Sequence, residues 1–232
     1  GGSLERDDRV RDVLTRAGHV CGVVGKWDMG QAKRYLPLQR GFQFFYGHGN
    51  NGIDYYTHER YGVPSMFRGN SRTEEDKGTY ATDLFKREAL GFVRGSASRP
   101  FFLYLPFNAP HGASSFGPGT REGESKEGVG AQAPEKYIAP YRGKLKSEKL
   151  ARYYGALACM DDAIGELMKL LAELSLEKDT LVMFLSDNGG SGNGGNAPLK
   201  GSKSSMWEGG LRVPFIARWP GHLPAGRVTD EF

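Results

Sequence analysis

Polar side chains able to do chemistry follow three apolar runs of this 232-residue sequence. The runs are "VCGVVG", "FFLYLPF" and "TLVMFLS", and each reads as a buried strand. In open α/β sheets, ligands bind beyond the carboxyl ends of the strands, so the residues that follow these runs are candidates for a site. They supply a cation, an imidazole and oxygen ligands: Lys26 with Asp28, Asn108 with His111, and Asp187 with Asn188.

The third pair, Asp187 and Asn188 in "SDNGGSGNGG", offers the oxygen ligands that Ca²⁺ and Mg²⁺ prefer. The same residues also suit a turn in which Asp and Asn bond their own backbone, and Asn-Gly often marks such turns. Two ligands do not complete the roughly six to eight oxygens around Ca²⁺. A metal site at this position therefore requires ligands from elsewhere.

Each remaining candidate also has two interpretations. His111 in "NAPHGA" can act as a general acid or base, because imidazole titrates near neutrality, or it can be a hydrogen-bonded loop residue. Lys200 and Lys203 in "PLKGSKSSMWEGG" can be fixed charges for an anion or solvated side chains. Asp161 and Asp162 fall inside a long helical pattern, so we assign them no catalytic role.

The elements that must position these residues alternate between helix and strand. Apolar residues at helical spacing predict helices over residues 4–18, 80–95 and 147–176, and "LRVPFIARW" is predicted to add a last strand to the same sheet. Strands that are apolar on both faces favour an α/β fold with a largely parallel central sheet flanked by helices. Residues 112–146 show little periodicity, which indicates a lid, a binding insertion or disorder.

Composition narrows the classes of function. The net charge of +4 and the pI near 9.0 come from dispersed Lys and Arg without a basic stripe, which argues against nucleic-acid binding and suits an anionic ligand. Cys21 and Cys159 have neither zinc-like nor disulfide-framework spacing. No run approaches the roughly 18 apolar residues of a membrane span, so none is predicted.

Six blocks of the sequence, in order, resemble the sulfatase family of the alkaline-phosphatase superfamily over nearly the whole chain. "AGHVCGVVGKWDMG" is similar to the family's second signature, G-Y-x-T-x-x-x-G-K-W-H-L-G. The other blocks are "RGFQFFYGH", "DYYTHE", "RPFFLYLPFNAPH", "TLVMFLSDNGG" and "PLKGSKSSMWEGGLRVPFIARWPG". The resemblance implies an alkaline-phosphatase-like fold and the hydrolysis of sulfate esters, with a sulfated small molecule or polysaccharide as substrate.

The resemblance also assigns roles to eight residues of this sequence. It implies that fixed cations and one Ca²⁺ ion stabilise the sulfate group while a histidine serves the departing oxygen. The implied catalytic residues are Lys26, His111 and Lys203, the implied substrate-binding residues are Thr57, Asp28 and Lys200, and the implied Ca²⁺ ligands are Asp187 and Asn188.

Two departures from the family pattern shape the prediction. The nucleophile of the family, a formylglycine made from Cys or Ser in CxPSR or SxPSR, has no counterpart here, and neither have the two N-terminal aspartates of the metal site. We therefore expect residues 1–232 to be a partial catalytic domain, truncated at both ends and inactive alone. Family habit implies a periplasmic or secreted location. The alternatives are a phosphodiesterase or phosphonate hydrolase of the same superfamily and a non-catalytic anion-binding relative.

Asp28 in "GVVGKWDMG" stands where the family more often has histidine. A carboxylate about 4 Å from a sulfate oxygen would cost about 4 kcal/mol at an effective dielectric near 20. We therefore expect Asp28 to pair with Lys26 or another cation of the pocket, such as Lys203, and not to touch sulfate.

Overall fold

The computed structural model describes residues 10–115 and 130–229. The chain divides into two compact units, Gly1–Leu167 and Met168–Phe232, with the boundary inside the longest helix. The helices are α1 (Val10–Arg16), α2 (Ala81–Ser96), α3 (Glu135–Ile138), α4 (Glu148–Glu173) and α5 (Glu208–Leu211), with 3₁₀ turns at Lys33–Tyr35, Pro37–Arg40 and Ala139–Tyr141. The strands are β1 (Val20–Lys26), β2 (Phe44–His48), β3 (Glu59–Arg60), β4 (Val63–Pro64), β5 (Met66–Arg68), β6 (Ser71–Arg72), β7 (Phe101–Tyr104), β8 (Val182–Leu185) and β9 (Phe215–Arg218).

A five-stranded sheet lies in the first unit, in the order β6-β5-β2-β1-β7. β1 pairs in parallel with β2 and β7, whereas β5 and β6 continue the sheet antiparallel. The middle of β1 is fully buried, as its unbroken apolar run predicts, and α2 contributes Leu84 and Phe85 to the core that contains Val24 and Tyr46. The predicted α/β fold is confirmed, and the sheet is mixed because the short β5–β6 hairpin extends it.

The second unit holds a separate antiparallel pair, β8 with β9, in a register that places Leu185 opposite Phe215. The prediction that β9 joins the other strands in one sheet is therefore wrong for the described residues. The side chains of β8 and β9 are also largely exposed, with Leu185 at 55% and Phe215 at 59%, so the prediction of a buried β8 is wrong as well. An apolar run indicates a strand but does not say what covers it.

The helix predictions are confirmed where the structure describes them. α2 and α4 fall within the expected residues, and the N-terminal helix is present over Val10–Arg16, while residues 4–9 lie outside the described part. Within the expected loop at 112–146, residues 116–129 also lie outside it, but α3 and the following 3₁₀ turn occupy 135–141. Burial of the Ile138 side chain stabilises this short helix. The surrounding Gly- and Ser-rich sequence shows no helical periodicity that would predict it. Among the described residues, no helix is long and apolar enough to cross a membrane.

Candidate functional site

Lys26 is the last residue of β1 and lies at the carboxyl end of the parallel strands. Its register partner is His48, the last residue of β2, and its backbone N–H donates to the carbonyl of Pro106, just after β7, at 2.8 Å. The Lys26 side chain is only 19% exposed. Most of its stem is therefore packed, and the ammonium is held near one position at this end of the sheet.

Asp28 forms an ion pair with Lys26, with Oδ2 3.8 Å from Nζ. The turn that brings them together places Asp28 at φ 51°, a left-handed conformation that Asp tolerates better than most residues. Trp27 anchors this turn, because its backbone N–H donates to the His48 carbonyl at 2.9 Å and its indole N–H donates to the Tyr35 carbonyl at 2.7 Å. Of the two partners expected for Asp28, the structure shows Lys26.

His111 follows β7 on an exposed turn. Its backbone N–H donates to the Asn108 carbonyl at 2.9 Å, and its ring Nδ1 lies 2.7 Å from the Gly112 carbonyl. Because a carbonyl only accepts hydrogen bonds, Nδ1 carries the proton of the neutral ring. Nε2 is then the atom able to take a proton from a reacting group, or to return one.

His48 is a member of this group that the sequence interpretation missed. It is fully buried and stacks on Phe85 with ring centroids 6.1 Å apart. Burial lowers the pKa of His48 to about 3, and the nearby charges of Lys26 and His111 act in the same direction. Lys26 and His111 therefore lie around one neutral imidazole. The signal was available, because His48 also directly follows an apolar run, "FQFFYG".

Thr57 lies on the exposed part of a turn built on Asp54. The Asp54 carboxylate accepts the backbone N–H groups of Tyr56 and Thr57 at 2.9 and 2.8 Å, and the side chains of Ser115 and Gln132 at 2.6 and 2.8 Å. Burial opposes ionisation of this carboxyl, but the four hydrogen bonds outweigh it and hold the pKa of Asp54 below its ordinary value. Asp54 thus fixes the backbone that carries Thr57.

In the second unit, Asp187 and Asn188 follow β8 in a turn with two side-chain hydrogen bonds. The amide of Asn188 donates to Asp187 Oδ1 at 2.8 Å, and Ser186 Oγ donates to the Asn188 carbonyl at 2.9 Å. The Asp187 side chain is exposed, and the pair presents a carboxylate and an amide oxygen, the donor types that suit Ca²⁺ or Mg²⁺. The donor chemistry fits part of a shell. Within the described ranges, no group of three or more His, Cys, Asp or Glu side chains could hold a metal.

Lys203 is tied to the same glycine-rich turn through its backbone. Its N–H donates to the Gly190 carbonyl at 3.2 Å, and the Asn196 amide bonds both the N–H and the carbonyl of Gly190. Lys200 is held differently, because its ammonium lies 3.7 Å from the centre of the Trp207 ring. This cation–π contact holds the Lys200 ammonium against the Trp207 ring.

The structure thus groups the sequence-predicted residues within each unit. In the first unit it brings Lys26, Asp28 and His111 to the carboxyl ends of β1, β2 and β7, with Thr57 on a neighbouring turn. In the second unit it brings Lys203 to the turn that follows Asp187 and Asn188, while Lys200 contacts Trp207. We assign no catalytic role to Asp161 or Asp162. The Asp162 carboxylate accepts a hydrogen bond from the Tyr137 hydroxyl.

This mixed sheet flanked by helices is the alkaline-phosphatase-like α/β fold of its structural neighbours. The Sulfatase family model matches residues 3–232, so the chain belongs to the sulfatase family. It is 30% identical to the N-acetylgalactosamine-6-sulfatase of Canis lupus familiaris over 100% of this chain and 43% of that protein. It is also 30% identical to arylsulfatase J of Mus musculus over 94% of this chain and 35% of that protein.

A solved structure gives the same result. The crystal structure of Ps i-CgsB superposes with a TM-score of 0.77 at 30% identity, over 93% of this chain and 48% of that one, and it has also been solved in complex with k-i-k-neocarrahexaose. The chain therefore spans less than half the length of these relatives.

Proposed function

We propose that this chain is part of the catalytic domain of a sulfuric ester hydrolase that acts on sulfated carbohydrates. The observation that carries the proposal is the placement of Lys26 and His111 at the carboxyl ends of adjacent parallel strands, around the buried neutral His48. Sulfate ester cleavage leaves the sulfuryl oxygens anionic and builds negative charge on the departing oxygen. The ammonium of Lys26 can neutralise a sulfuryl oxygen, and Nε2 of His111 can donate a proton to the departing oxygen.

The roles follow from the chemistry of each group. Lys26 would bind a sulfate oxygen, and His111, once protonated at Nε2, would donate that proton to the departing alkoxide. Lys203 would supply a second fixed charge, and Lys200 and Thr57 would contact substrate. Asp28 would hold the Lys26 ammonium.

Asp187 and Asn188 would hold one divalent ion, for which we propose Ca²⁺ because both donors are oxygens. Sulfatases generally bind a divalent metal, and such an ion would supply charge stabilisation for the sulfate oxygens. The two residues supply only part of a Ca²⁺ shell of roughly six to eight oxygens. The rest of the shell is proposed to come from outside these 232 residues.

Neither cysteine of this chain suits the role of nucleophile. Cys21 and Cys159 are free and buried, and neither lies in CxPSR. Burial raises the pKa of the Cys159 thiol to about 11, so this thiol stays protonated at neutral pH. The formylglycine that the resemblance implies is therefore proposed to lie outside these 232 residues.

The substrate class is proposed from the relatives and the charge. One relative is named an N-acetylgalactosamine-6-sulfatase and a structural neighbour was solved with a neocarrahexaose, both carbohydrate names. A net charge of +4 suits a polyanionic substrate. We also propose a periplasmic or secreted location, which fractionation of the producing cell would test.

The test uses the longest natural protein that contains this chain, assayed for sulfate release from an aryl sulfate and from sulfated oligosaccharides. The variants are Lys26→Ala and His111→Ala, with Lys169→Ala as a matched control, because Lys169 is 77% exposed on α4 and pairs with Glu173. We expect both site variants to lose at least a hundredfold in kcat/KM and the control to lose nothing. Release of phosphate but never sulfate would refute the proposal in favour of a phosphoesterase, and full activity of both site variants would refute the assigned roles.

A further inference from the structure

The turn that carries His111 is bonded to two other parts of the first unit: residues 53–61, and Gly130, whose carbonyl accepts the Ala113 N–H at 2.7 Å. The Ser114 N–H donates to the Ile53 carbonyl at 3.2 Å, and the Tyr61 N–H donates to the Ser114 carbonyl at 2.8 Å. The bond nearest the imidazole comes from Tyr55, whose hydroxyl donates to the carbonyl of His111 itself at 2.9 Å. The position of His111 therefore depends on a segment more than 50 residues earlier in the chain.

Tyr55 is a rigid donor. Its side chain is fully buried, and its ring stacks on Tyr80 with centroids 5.3 Å apart and planes 13° from parallel. Its backbone N–H donates to the side chain of Gln132 at 2.8 Å. Burial raises the pKa of the Tyr55 hydroxyl well above its ordinary value, so the hydroxyl keeps its proton at any working pH.

The bond to the His111 carbonyl has a direct consequence for the imidazole. This carbonyl belongs to the peptide group between His111 and Gly112, so Tyr55 fixes the orientation of that group. The next carbonyl, that of Gly112, accepts the hydrogen bond from Nδ1 at 2.7 Å. The Gly112 carbonyl belongs to the following peptide group, whose Ala113 N–H donates to the Gly130 carbonyl at 2.7 Å. With Tyr55 holding the first peptide group and Gly130 the second, the acceptor that keeps the ring proton on Nδ1 stays in place and Nε2 is left as the reactive atom.

Close packing by Gly52, the residue just before this segment, supports this arrangement. A Cβ atom on Gly52 would lie 2.7 Å from Ser114 Oγ and 3.2 Å from the Nδ1 atom of His111. Real Cβ atoms essentially never come within 3.0 Å of such a neighbour. The absence of a side chain at Gly52 therefore lets its backbone lie close to the His111 imidazole.

We propose that Tyr55 is a positioning residue for His111, which it keeps in one tautomer and one orientation by bonding its carbonyl. This inference rests on the proposed function, because it assumes that His111 takes part in the reaction. Tyr55 bonds the backbone carbonyl of His111, so its effect on the imidazole passes through the His111–Gly112 peptide group.

The test compares Tyr55→Phe with Tyr80→Phe in the longest natural protein that contains this chain. Tyr80 is the matched control, because it is 4% exposed in the same stack and its hydroxyl donates to a carbonyl, that of Gln132, at 2.7 Å, but it does not bond His111. We expect both variants to shift the urea midpoint by similar amounts. Only Tyr55→Phe should lower kcat, by about tenfold with KM little changed, and reduce the Nδ1–H tautomer of His111 in ¹⁵N NMR spectra.

Equal kcat values and equal His111 tautomer populations in the two variants would overturn the proposal. If Tyr55→Phe does not fold, 3-fluorotyrosine at position 55 tests the same bond, because it keeps the ring and changes the hydroxyl only as a donor; an unchanged kcat and an unchanged His111 tautomer population would then overturn the proposal. His111→Ala separates the two levels of the argument. Wild-type activity in His111→Ala refutes the role proposed for His111, and release of phosphate but never sulfate refutes the proposed function. An inactive His111→Ala with Tyr55→Phe equal to Tyr80→Phe refutes the positioning role alone.

Discussion

The geometry around Lys26 depends on the glycine that precedes it, which makes Gly25→Ala the sharpest test of the local structure. Gly25 has φ +121°, a conformation that residues with a side chain rarely adopt. A Cβ atom there would lie 2.1 Å from the Pro106 carbonyl oxygen. That oxygen is the acceptor for the Lys26 N–H at 2.8 Å, so relieving the overlap breaks this bond.

The cost of Gly25→Ala can be estimated from these two effects. Backbone strain of this kind costs about 1–3 kcal/mol. Loss of the Lys26–Pro106 hydrogen bond adds about 0.5–1.5 kcal/mol. We therefore expect the free energy of unfolding to fall by about 1.5–4.5 kcal/mol, measured by urea denaturation followed by circular dichroism.

Gly91→Ala is the control for this measurement. Gly91 lies inside α2, is exposed, and has no atom within 4 Å of its would-be Cβ. Because Ala is favoured over Gly in helices, this variant should gain about 0.5–1 kcal/mol. The same substitution is thus predicted to act in opposite directions at two sites. An unchanged urea midpoint in Gly25→Ala, with an unchanged slope, would show that the close approach of Pro106 is not a real constraint.

Three further predictions concern charged and titratable groups. Asp54→Asn should lower the free energy of unfolding at pH 7 by about 1–3 kcal/mol, because it weakens four hydrogen bonds. The folded-state pKa of Asp54 is depressed, so the difference in stability between wild type and variant should shrink as pH falls through that pKa; a constant difference down to pH 2 would contradict this. The pKa of His48 is about 3 in the folded protein against an ordinary 6.5, so the stability of the wild type should decrease by up to about 1.4 kcal/mol for each pH unit below 6.5. His48→Phe should flatten that dependence in urea titrations between about pH 6.5 and 4.5. Asp28→Asn should tighten sulfate binding about twofold to fivefold, because the 3.8 Å ion pair between Asp28 and Lys26 is partly exposed and worth about 0.5–1 kcal/mol. Calorimetry at low salt measures the sulfate affinity, and a gain in affinity that persists at high salt would contradict an electrostatic cause.

The sequence could predict the residues at the ends of long apolar strands because one rule covers them. Lys26 and His111 each follow a strand whose continuous apolar run is visible in one sequence. His48 obeys the same rule, because it follows the apolar run "FQFFYG", but the sequence does not show that β2 lies between β1 and β5 in the sheet. The hairpin that brings β5 to β2 has strands of two or three residues, too short for any periodicity to show.

Contacts between distant segments set the remainder of the site, and no local pattern encodes them. Tyr55 reads as one aromatic residue in "DYYTHE", and its bond to the His111 carbonyl exists only because the chain folds residues 53–61 onto the turn after β7. Exposure of β8 is a similar case, since hydrophobicity predicts a strand but not its cover. Contacts between distant segments decide both the Tyr55–His111 bond and the exposure of β8, and local sequence preference does not determine them.

Asp28 shows where electrostatic reasoning from sequence succeeds and where it stops. The cost of placing a carboxylate against sulfate requires that Asp28 be paired or turned away, whatever the fold. The choice of partner depends on the backbone: φ 51° at Asp28 turns the chain so that its carboxylate returns to Lys26, two residues earlier. An anion bound by Lys26 must then share the ammonium with Asp28, so this carboxylate weakens anion binding while it restricts the lysine. A substrate with several sulfate groups would offset that loss through additional charge contacts, which is why we expect Asp28→Asn to help a small aryl sulfate more than a polysulfated oligosaccharide.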